Sequence, residues 1–395
     1  MPYGRGVRIA HVSDCYLPRT GGIETQVRAL ALRQQEAGLD VRVITATPGP
    51  SAPGIPQTEG SLTDSASLDD GVVVHRCAMT TSSGRPLPFE LPIHLRTRAA
   101  VTTVLQRDPV DVVHVHAGVI SPFAWGALRA AHRLRIPALV TVHSIWGPLA
   151  RPGFRASDAL VGWSRWGMQL SAVSELAAER VQAAVPGAGE VLVIGNGIDA
   201  DSWRVEHATG PPGVLSLVAV MRLAPRKRLM PLIRIVQQAQ SRVDPATCLR
   251  LVIIGDGPER ARAERAAHPP GLVQFTGRLD QAGIRAHLAQ ADLYVQPSVK
   301  ESFGIAALEA RAAGVPVLAR TQAGTAQFIR DGVEGLLVSS DRAMADAIAQ
   351  VAADRSLLDR IRAHNSTVPP EQTWTRVLAS AADGYARAIE RVGRA

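Results

Sequence analysis

Between residues 296 and 310 the chain carries two carboxylates, Glu301 and Glu309, separated by seven residues, with an apolar strand pattern before them and a helical one between. Glu301 falls in a loop or first turn, and Glu309 lies about two turns further along the helix. A carboxylate accepts hydrogen bonds from two hydroxyls at once, so the pair suits an uncharged ligand rich in hydroxyls, such as a sugar. The amides of Phe303 and Gly304, at the helix start, are placed to meet a phosphate, because unpaired N–H groups and the helix dipole favour negative charge there. Arg222 and Lys227, with four residues between them, directly follow the apolar run 215–220. One offers a planar fork and the other a point charge, a combination that can hold a diphosphate. Near the start of the chain, Gly21 and Gly22 precede the helical pattern Val27, Leu30, Ala31. Glycines at a helix start let backbone N–H groups approach a phosphate closely, although the Gly-x-Gly-x-x-Gly dinucleotide pattern is absent.

Histidines supply a second set of candidates. In the run 111–116 the period of two turns His114 and His116 to one side of a strand. A metal could be held by such a pair, but no third ligand is evident. His143 closes the next apolar run and is a candidate for the same kind of strand-end position. Asp199 and Asp201 superficially match an Asp-x-Asp metal pattern, but they fall beside a stretch of linker composition and are discounted. After His143 come Trp146, Pro148, Leu149, Phe154, Leu160, Trp163 and Trp166, interleaved with Arg151, Arg155 and Arg165. Aromatic rings cover sugar faces or dip into a lipid interface, and arginines hold anions. A buried helix pair would use the same residues, so both readings stay open.

These residues need strand ends to hold them. Apolar runs bounded by turn residues recur at 7–12, 41–45, 72–76, 112–116, 138–142 and 191–194, with helical patterns between. The series begins afresh at 215–220 and continues at 249–254, 273–275, 293–296 and 317–319. Strand alternating with helix predicts an α/β fold of two doubly wound parallel-sheet domains, 1–199 and 214–370. Residues 200–213, with Gly210, Pro211, Pro212 and Gly213, read as the linker. Trp374, Val377, Leu378, Ala381, Tyr385 and Ile389 recur near helical spacing, predicting a closing helix over about 371–395 that packs back on the first domain. Residues 48–70, rich in Ser, Pro, Gly and Asp, read as a mobile surface loop. Ligands of open α/β sheets sit beyond the carboxyl ends of the strands, so two facing domains are expected to share one cleft.

Composition narrows the function. A chain of 395 residues is long enough for two such domains. No signal-peptide pattern opens it and no eighteen apolar residues run without a charge, so a cytoplasmic protein is expected. Cys15, Cys77 and Cys248 are far apart and lack disulfide-framework or zinc spacing. The net charge of +8 raises nucleic acid or an anionic membrane as partners, but the basic residues are scattered instead of gathered in one patch. Nucleic acid is therefore not expected, and peripheral contact with the inner membrane face stays open. Only Lys227 and Lys300 are lysines among 43 basic residues, which marks Lys227 as a site where a compact ammonium serves better than a planar fork.

Taken in order, these segments resemble retaining glycosyltransferase family 4, whose fold is GT-B, and the likeness spans essentially the whole chain. It implies that Glu309 binds the ribose hydroxyls of a nucleoside-diphosphate sugar and Glu301 the transferred sugar. It places Arg222 and Lys227 on the diphosphate, Gly21 and Gly22 at the distal phosphate, Arg278 near the base pocket, and Phe303 and Gly304 at the phosphates. His116 corresponds to the family's active-site histidine, while His143 and Trp146 are acceptor-side candidates. The 1–199 domain would then bind the acceptor and 214–370 the donor. The implied reaction moves a hexosyl group from UDP- or GDP-sugar to a hydroxyl of a glycan, lipid or natural product, with retention and with no metal or other cofactor. Alternatives are a nucleotide-sugar epimerase or phosphorylase of the same fold, for which Lys300 is the only spare lysine, and a non-catalytic nucleotide-sugar-binding protein.

Overall fold

The computed structural model describes residues 6–19, 21–49, 63–78, 94–147, 150–208 and 210–394. The chain divides into two units, one made of the residues up to Gly197 together with those from Trp374 onward, the other of Ile198–Thr373.

The first unit is built on a sheet of β1 (Arg8–Ser13), β2 (Asp40–Thr45), β3 (Thr63–Asp69), β4 (Val72–Ala78), β5 (Val112–Ala117), β6 (Ala138–Val142), β7 (Gln169–Ala172) and β8 (Leu192–Val193). Their spatial order is β3-β4-β2-β1-β5-β6-β7-β8. All neighbours are parallel except β3 with β4, which pair antiparallel from Thr63 opposite Ala78 to Asp69 opposite Val72. A parallel sheet is covered on both faces, which is why β1, β5 and β6 are buried almost throughout.

Alternation assigns Ala10, Val12, Val113 and Val115 to one face, packed with Phe123, Ala127 and Leu128 of the helix Pro122–Arg133. Ile9, Val112 and Leu139 take the other face, where Val377, Ala381 and Tyr385 of the C-terminal helix Trp374–Arg394 meet them. Beyond that apolar layer, on the same face, alternation brings His11, His114, His116, Thr141 and His143.

The second unit is a sheet of β9 (Val214–Val220), β10 (Cys248–Ile254), β11 (Val273–Gly277), β12 (Leu293–Val295), β13 (Val317–Arg320) and β14 (Gly335–Val338), in the order β11-β10-β9-β12-β13-β14 and parallel throughout. Leu215, Leu217, Leu251 and Ile253 pack against Leu232, Ile235 and Val236 of the helix Leu229–Gln240. Both sheets have the strand order of doubly wound folds, with the reversal beside β1 and β9.

Two expectations are corrected. Residues 63–69, read as part of a mobile loop, form the edge strand β3. It holds few apolar residues because antiparallel pairing with β4, and Asp69 accepting from Tyr16 and Arg28, replace a second buried face. Residues 50–62 of that loop lie outside the described residues. Residues 200–213, read as a linker, belong to the second unit: Ala200–Trp203 is a short helix with Trp203 buried, and His207 bonds to the Ala313 carbonyl at 2.9 Å. The chain passes between units at Gly197 and Trp374 instead, where Ile198 and Thr373 pair as a bridge.

Candidate active site

In the second unit the candidates collect at the carboxyl ends of adjacent strands β9, β12 and β13. After β9 the chain makes a tight turn, Pro225–Lys227, and Arg228 takes a left-handed conformation (φ 61°) before the next helix. From that turn the Lys227 Nζ donates to the Glu301 Oε2 at 2.6 Å. The Ser298 hydroxyl donates to the Lys227 carbonyl at 3.2 Å, and the Gly324 N–H to the Glu301 carbonyl at 2.8 Å, so the three strand-end loops are tied together. The ammonium and the carboxylate keep 25% and 13% of their side-chain surface, open enough for a ligand to take over either partner.

Glu309 lies within the helix Ile305–Ala312, as its spacing predicts, and burial pushes its carboxyl up to about 8. Below the two glutamates is Tyr294, whose hydroxyl donates to the Val220 carbonyl at 3.3 Å. Burial, with Glu301 and Glu309 nearby, drives that phenol upward. Gly304 precedes the helix at φ +96°, and a Cβ there would lie 2.4 Å from the Thr325 hydroxyl, so both conformation and space demand glycine. Thr325 donates between the Gln296 Oε1 and the Phe303 carbonyl, each at 3.2 Å. The Phe303 ring is buried against Phe328, so what it can offer a ligand is its main chain. Arg222 and Arg278 are exposed, in the loops after β9 and β11. Gly255 sets the loop after β10 against the first of these: a Cβ there would lie 2.0 Å from the Met221 carbonyl.

In the first unit Gly21 caps the helix Gly22–Glu36 in extended conformation. Its Cβ would lie 2.5 Å from the Glu24 carboxylate, which is buried in the first turn and paired with Arg19 at 3.2 Å. The N-terminus that Gly21 and Gly22 were expected to offer a phosphate therefore already faces one carboxylate and one guanidinium.

The histidines form a connected group that spacing alone did not reveal. The His116 Nε2 lies 2.9 Å from the His11 Nδ1, and the His116 Nδ1 lies 2.9 Å from the His143 Nε2. His11 continues through its Nε2 to the Gln34 Oε1 at 2.6 Å, and the Gln34 Nε2 donates to the Tyr385 hydroxyl at 2.9 Å. Tyr385 is 2.8 Å from the His114 Nδ1, whose Nε2 is 2.7 Å from the Thr141 hydroxyl. Burial lowers all four imidazoles, His11 and His143 to about 4 and His114 and His116 well below their ordinary value, so they are neutral at pH 7.

His116 is only 3% exposed and both its nitrogens are engaged within the group, whereas His143 is partly exposed. The third ring missing from the His114 and His116 pair is His11, from the neighbouring strand. Among the described residues these three are the one cluster of potential metal ligands, and all six ring nitrogens already have hydrogen-bond partners. His11 and Gln34 could have been suspected from polar residues placed on an otherwise apolar strand and helix face.

Trp146 does not stand at a surface. It is fully buried and stacks on Phe154 with ring centroids 3.6 Å apart. Trp163 joins the same core, while the helix Arg151–Val161 buries none of its residues and leaves Leu160 86% exposed. Pro148 and Leu149 lie outside the described residues.

Cations suited to phosphate beside carboxylates suited to sugar hydroxyls, at the strand ends of a doubly wound sheet, make a candidate nucleotide-sugar site, and similarity to known proteins points to the same class of ligand. Residues 20–202 match the model described as Glycosyltransferase Family 4, and residues 214–354 the one described as Glycosyl transferases group 1. The chain belongs to glycosyltransferase family 4. This glycosyltransferase is 28% identical over 370 residues to a GDP-mannose-dependent alpha-mannosyltransferase of Mycolicibacterium smegmatis, covering 88% of this chain and 90% of that one. It is 29% identical to a glycogen synthase of Mycobacterium tuberculosis, covering 96% and 94%. Its fold is GT-B: HepE of Anabaena, in complex with UDP and glucose, superposes with a TM-score of 0.70 at 18% identity, covering 96% of this chain and 99% of that one. The family 4 enzyme is thus a hexosyltransferase that uses a nucleotide sugar. No helix among its described residues is long and apolar enough to cross a membrane.

Proposed function

We propose that this glycosyltransferase moves a hexosyl group from UDP- or GDP-sugar to an acceptor hydroxyl with retention at the anomeric carbon and without a metal ion. The observation that carries the reading is the Lys227–Glu301 pair at 2.6 Å, which ties the loop after β9 to the loop that leads into the helix of Glu309. An ammonium suited to phosphate and a carboxylate suited to sugar hydroxyls, in contact with each other, match the junction of a sugar with its diphosphate. Glu309, deeper in the helix, would take the ribose hydroxyls.

As the bond between the anomeric carbon and the diphosphate oxygen breaks, negative charge gathers on the leaving group. Lys227 and Arg222 stabilise it, with the Phe303 and Gly304 amides adding fixed dipoles. The acceptor oxygen forms its bond to the anomeric carbon on the leaving-group face and passes its proton to a diphosphate oxygen, so no protein nucleophile is required. The charge that a metal would otherwise neutralise is answered by these cations. The names of relatives favour a mannosyl or glucosyl donor and a glycan or lipid acceptor. In this reading the acceptor meets the first unit, with His143 as its candidate contact.

The test is to titrate the purified protein, with chelator present, against UDP-, GDP- and ADP-sugars and to determine the anomeric configuration of product or slow hydrolysis product. One donor bound and turned over with retention supports the reading. A strict requirement for divalent cation, or inversion, overturns its mechanism.

A further inference from the structure

The two cations meant for the diphosphate wait for it differently. Arg222 is exposed in its loop, whereas the Lys227 ammonium is already held by the Glu301 carboxylate at 2.6 Å. The loops that carry this pair are also held without it. The turn of Lys227 is anchored by its own carbonyl, which accepts from the Ser298 hydroxyl at 3.2 Å, and by Arg228, which donates to the Asp341 carboxylate at 2.6 Å. The Glu301 carbonyl accepts from the Gly324 N–H at 2.8 Å, and Gly324 is packed so closely that a Cβ there would lie 2.1 Å from the Ser302 carbonyl. A ligand can therefore take over either side chain of the pair while the main chain stays in place.

What takes over decides the charge balance. A nucleoside-diphosphate sugar brings hydroxyls for Glu301 and phosphates for Lys227 at the same time, so both members of the opened pair are answered. Each of its phosphates is esterified and keeps a single negative charge. After transfer the sugar hydroxyls are gone, and the terminal phosphate of the product has a second ionisable oxygen with a pKa of about 6, largely ionised at pH 7. Carboxylate and phosphate dianion then claim the same ammonium and repel each other. Glu301 keeps only 13% of its side-chain surface, so water and salt screen that repulsion less than they would at an open surface.

We propose that Glu301 has a second task as a release element: once the sugar has left, its carboxylate reclaims Lys227 and loosens the hold on the nucleoside diphosphate. The inference rests on the reading of this site as the donor site. It gives Glu301 opposite effects on two ligands, favouring the sugar nucleotide and opposing its product. A residue that only kept the loops in order would act on both in the same direction.

Calorimetric titration with UDP, GDP and ADP, and with UDP-glucose, GDP-mannose and ADP-glucose, chelator present, first identifies the nucleotide that the wild-type protein binds. Glu301→Gln keeps an acceptor oxygen and gives up the charge. In this variant, shown folded by near-ultraviolet circular dichroism, that nucleoside diphosphate should bind about three- to tenfold more tightly, while its sugar nucleotide binds no more tightly than to wild type. Nucleoside diphosphate binding that is unchanged or weaker in Glu301→Gln overturns the proposal and leaves the donor site standing. Failure of every nucleotide and sugar nucleotide to bind the wild-type protein overturns the donor-site reading, and the proposal with it. A measurement on the unaltered side chains stands beside the variant. Lys227 and Lys300 are the only lysines of the chain, so selective 15N labelling of lysine gives two side-chain signals, which Lys300→Arg assigns. Saturation with the nucleoside diphosphate should shift the Lys227 ammonium signal, and a signal that does not move overturns the contest for that ammonium.

Discussion

At the strand ends of the first unit the polar side chains, His11, His114, His116 and Thr141, are buried, uncharged and bonded to one another, whereas those of the second, Lys227 and Glu301, are charged and partly open to solvent. A neutral network that satisfies its own donors and acceptors avoids the large desolvation cost of buried charge and rigidifies what it touches. A charged pair in partial contact with water keeps a strong local field that a charged ligand can share. One region is organised to hold a geometry and the other to receive a charge, which is the division of labour expected when the leaving group is a diphosphate.

The largest test of this contrast lies on the charged side. Lys227→Ala should lower turnover on the order of 10²–10³-fold, the scale for deleting one group that stabilises a developing charge. Steady-state rates with the identified donor measure it, and activity within threefold of wild type would break the comparison.

Glu309→Gln should weaken donor binding about tenfold by calorimetric titration, as expected when a hydrogen bond to the carboxyl is lost. The same variant should be the more stable protein at alkaline pH. Because the folded carboxyl is raised to about 8, its contribution to stability is present below pH 4.5 and is lost as pH rises through about 8. Thermal melts at pH 9 without ligand should therefore favour glutamine, and an unchanged or lower melting temperature would count against burial as the cause.

The neutral side has the opposite sign. The folded pKa of His11 and His143 is depressed to about 4, so their stabilisation is present above about 6.5 and is lost as pH falls toward 4. Each histidine contributes at most about 1.4 kcal/mol per pH unit. Asp14, raised to about 6 by burial, pulls the other way. Hydrogen exchange between pH 7 and 5 should show protection falling in β1, β5 and β6 before β9 and β12. Equal loss in both units would erase the distinction.

The smallest effect is expected at Trp146, whose buried indole N–H has no hydrogen-bond partner among the described residues. Trp146→Phe trades lost area against relief of that donor and should cost within about 1.5 kcal/mol in denaturant unfolding, with turnover unchanged.

What sequence could disclose follows the same divide. The charged residues sit in short runs with strand, turn and helix signals on either side, so Lys227, Glu301 and Glu309 could be named and placed from spacing alone. Most strands were equally legible, because buried parallel strands are continuous apolar runs. β7 was not: its sequence Gln-Leu-Ser-Ala carries two polar residues whose partners lie elsewhere in the chain, the Gln169 amide nitrogen donating to the Glu190 carbonyl and Ser171 bonding with Thr141. The histidine group was half legible. Period two paired His114 with His116, but His11, Gln34 and Tyr385 come from three other elements, 351 positions separating the last two, and no local pattern spans that distance.

The return of the chain to its first unit at Trp374 has a consequence for the order of synthesis. Ile9, Val112, Leu139 and Ile194 leave the ribosome long before Val377, Ala381 and Tyr385, the side chains that cover them. The second unit, made of one continuous segment, can complete its core while the nascent first unit still shows an open apolar face. The protein is therefore most exposed to aggregation just before its final helix emerges, and a ribosome stalled there would present the first unit uncovered beside a second that is already folded.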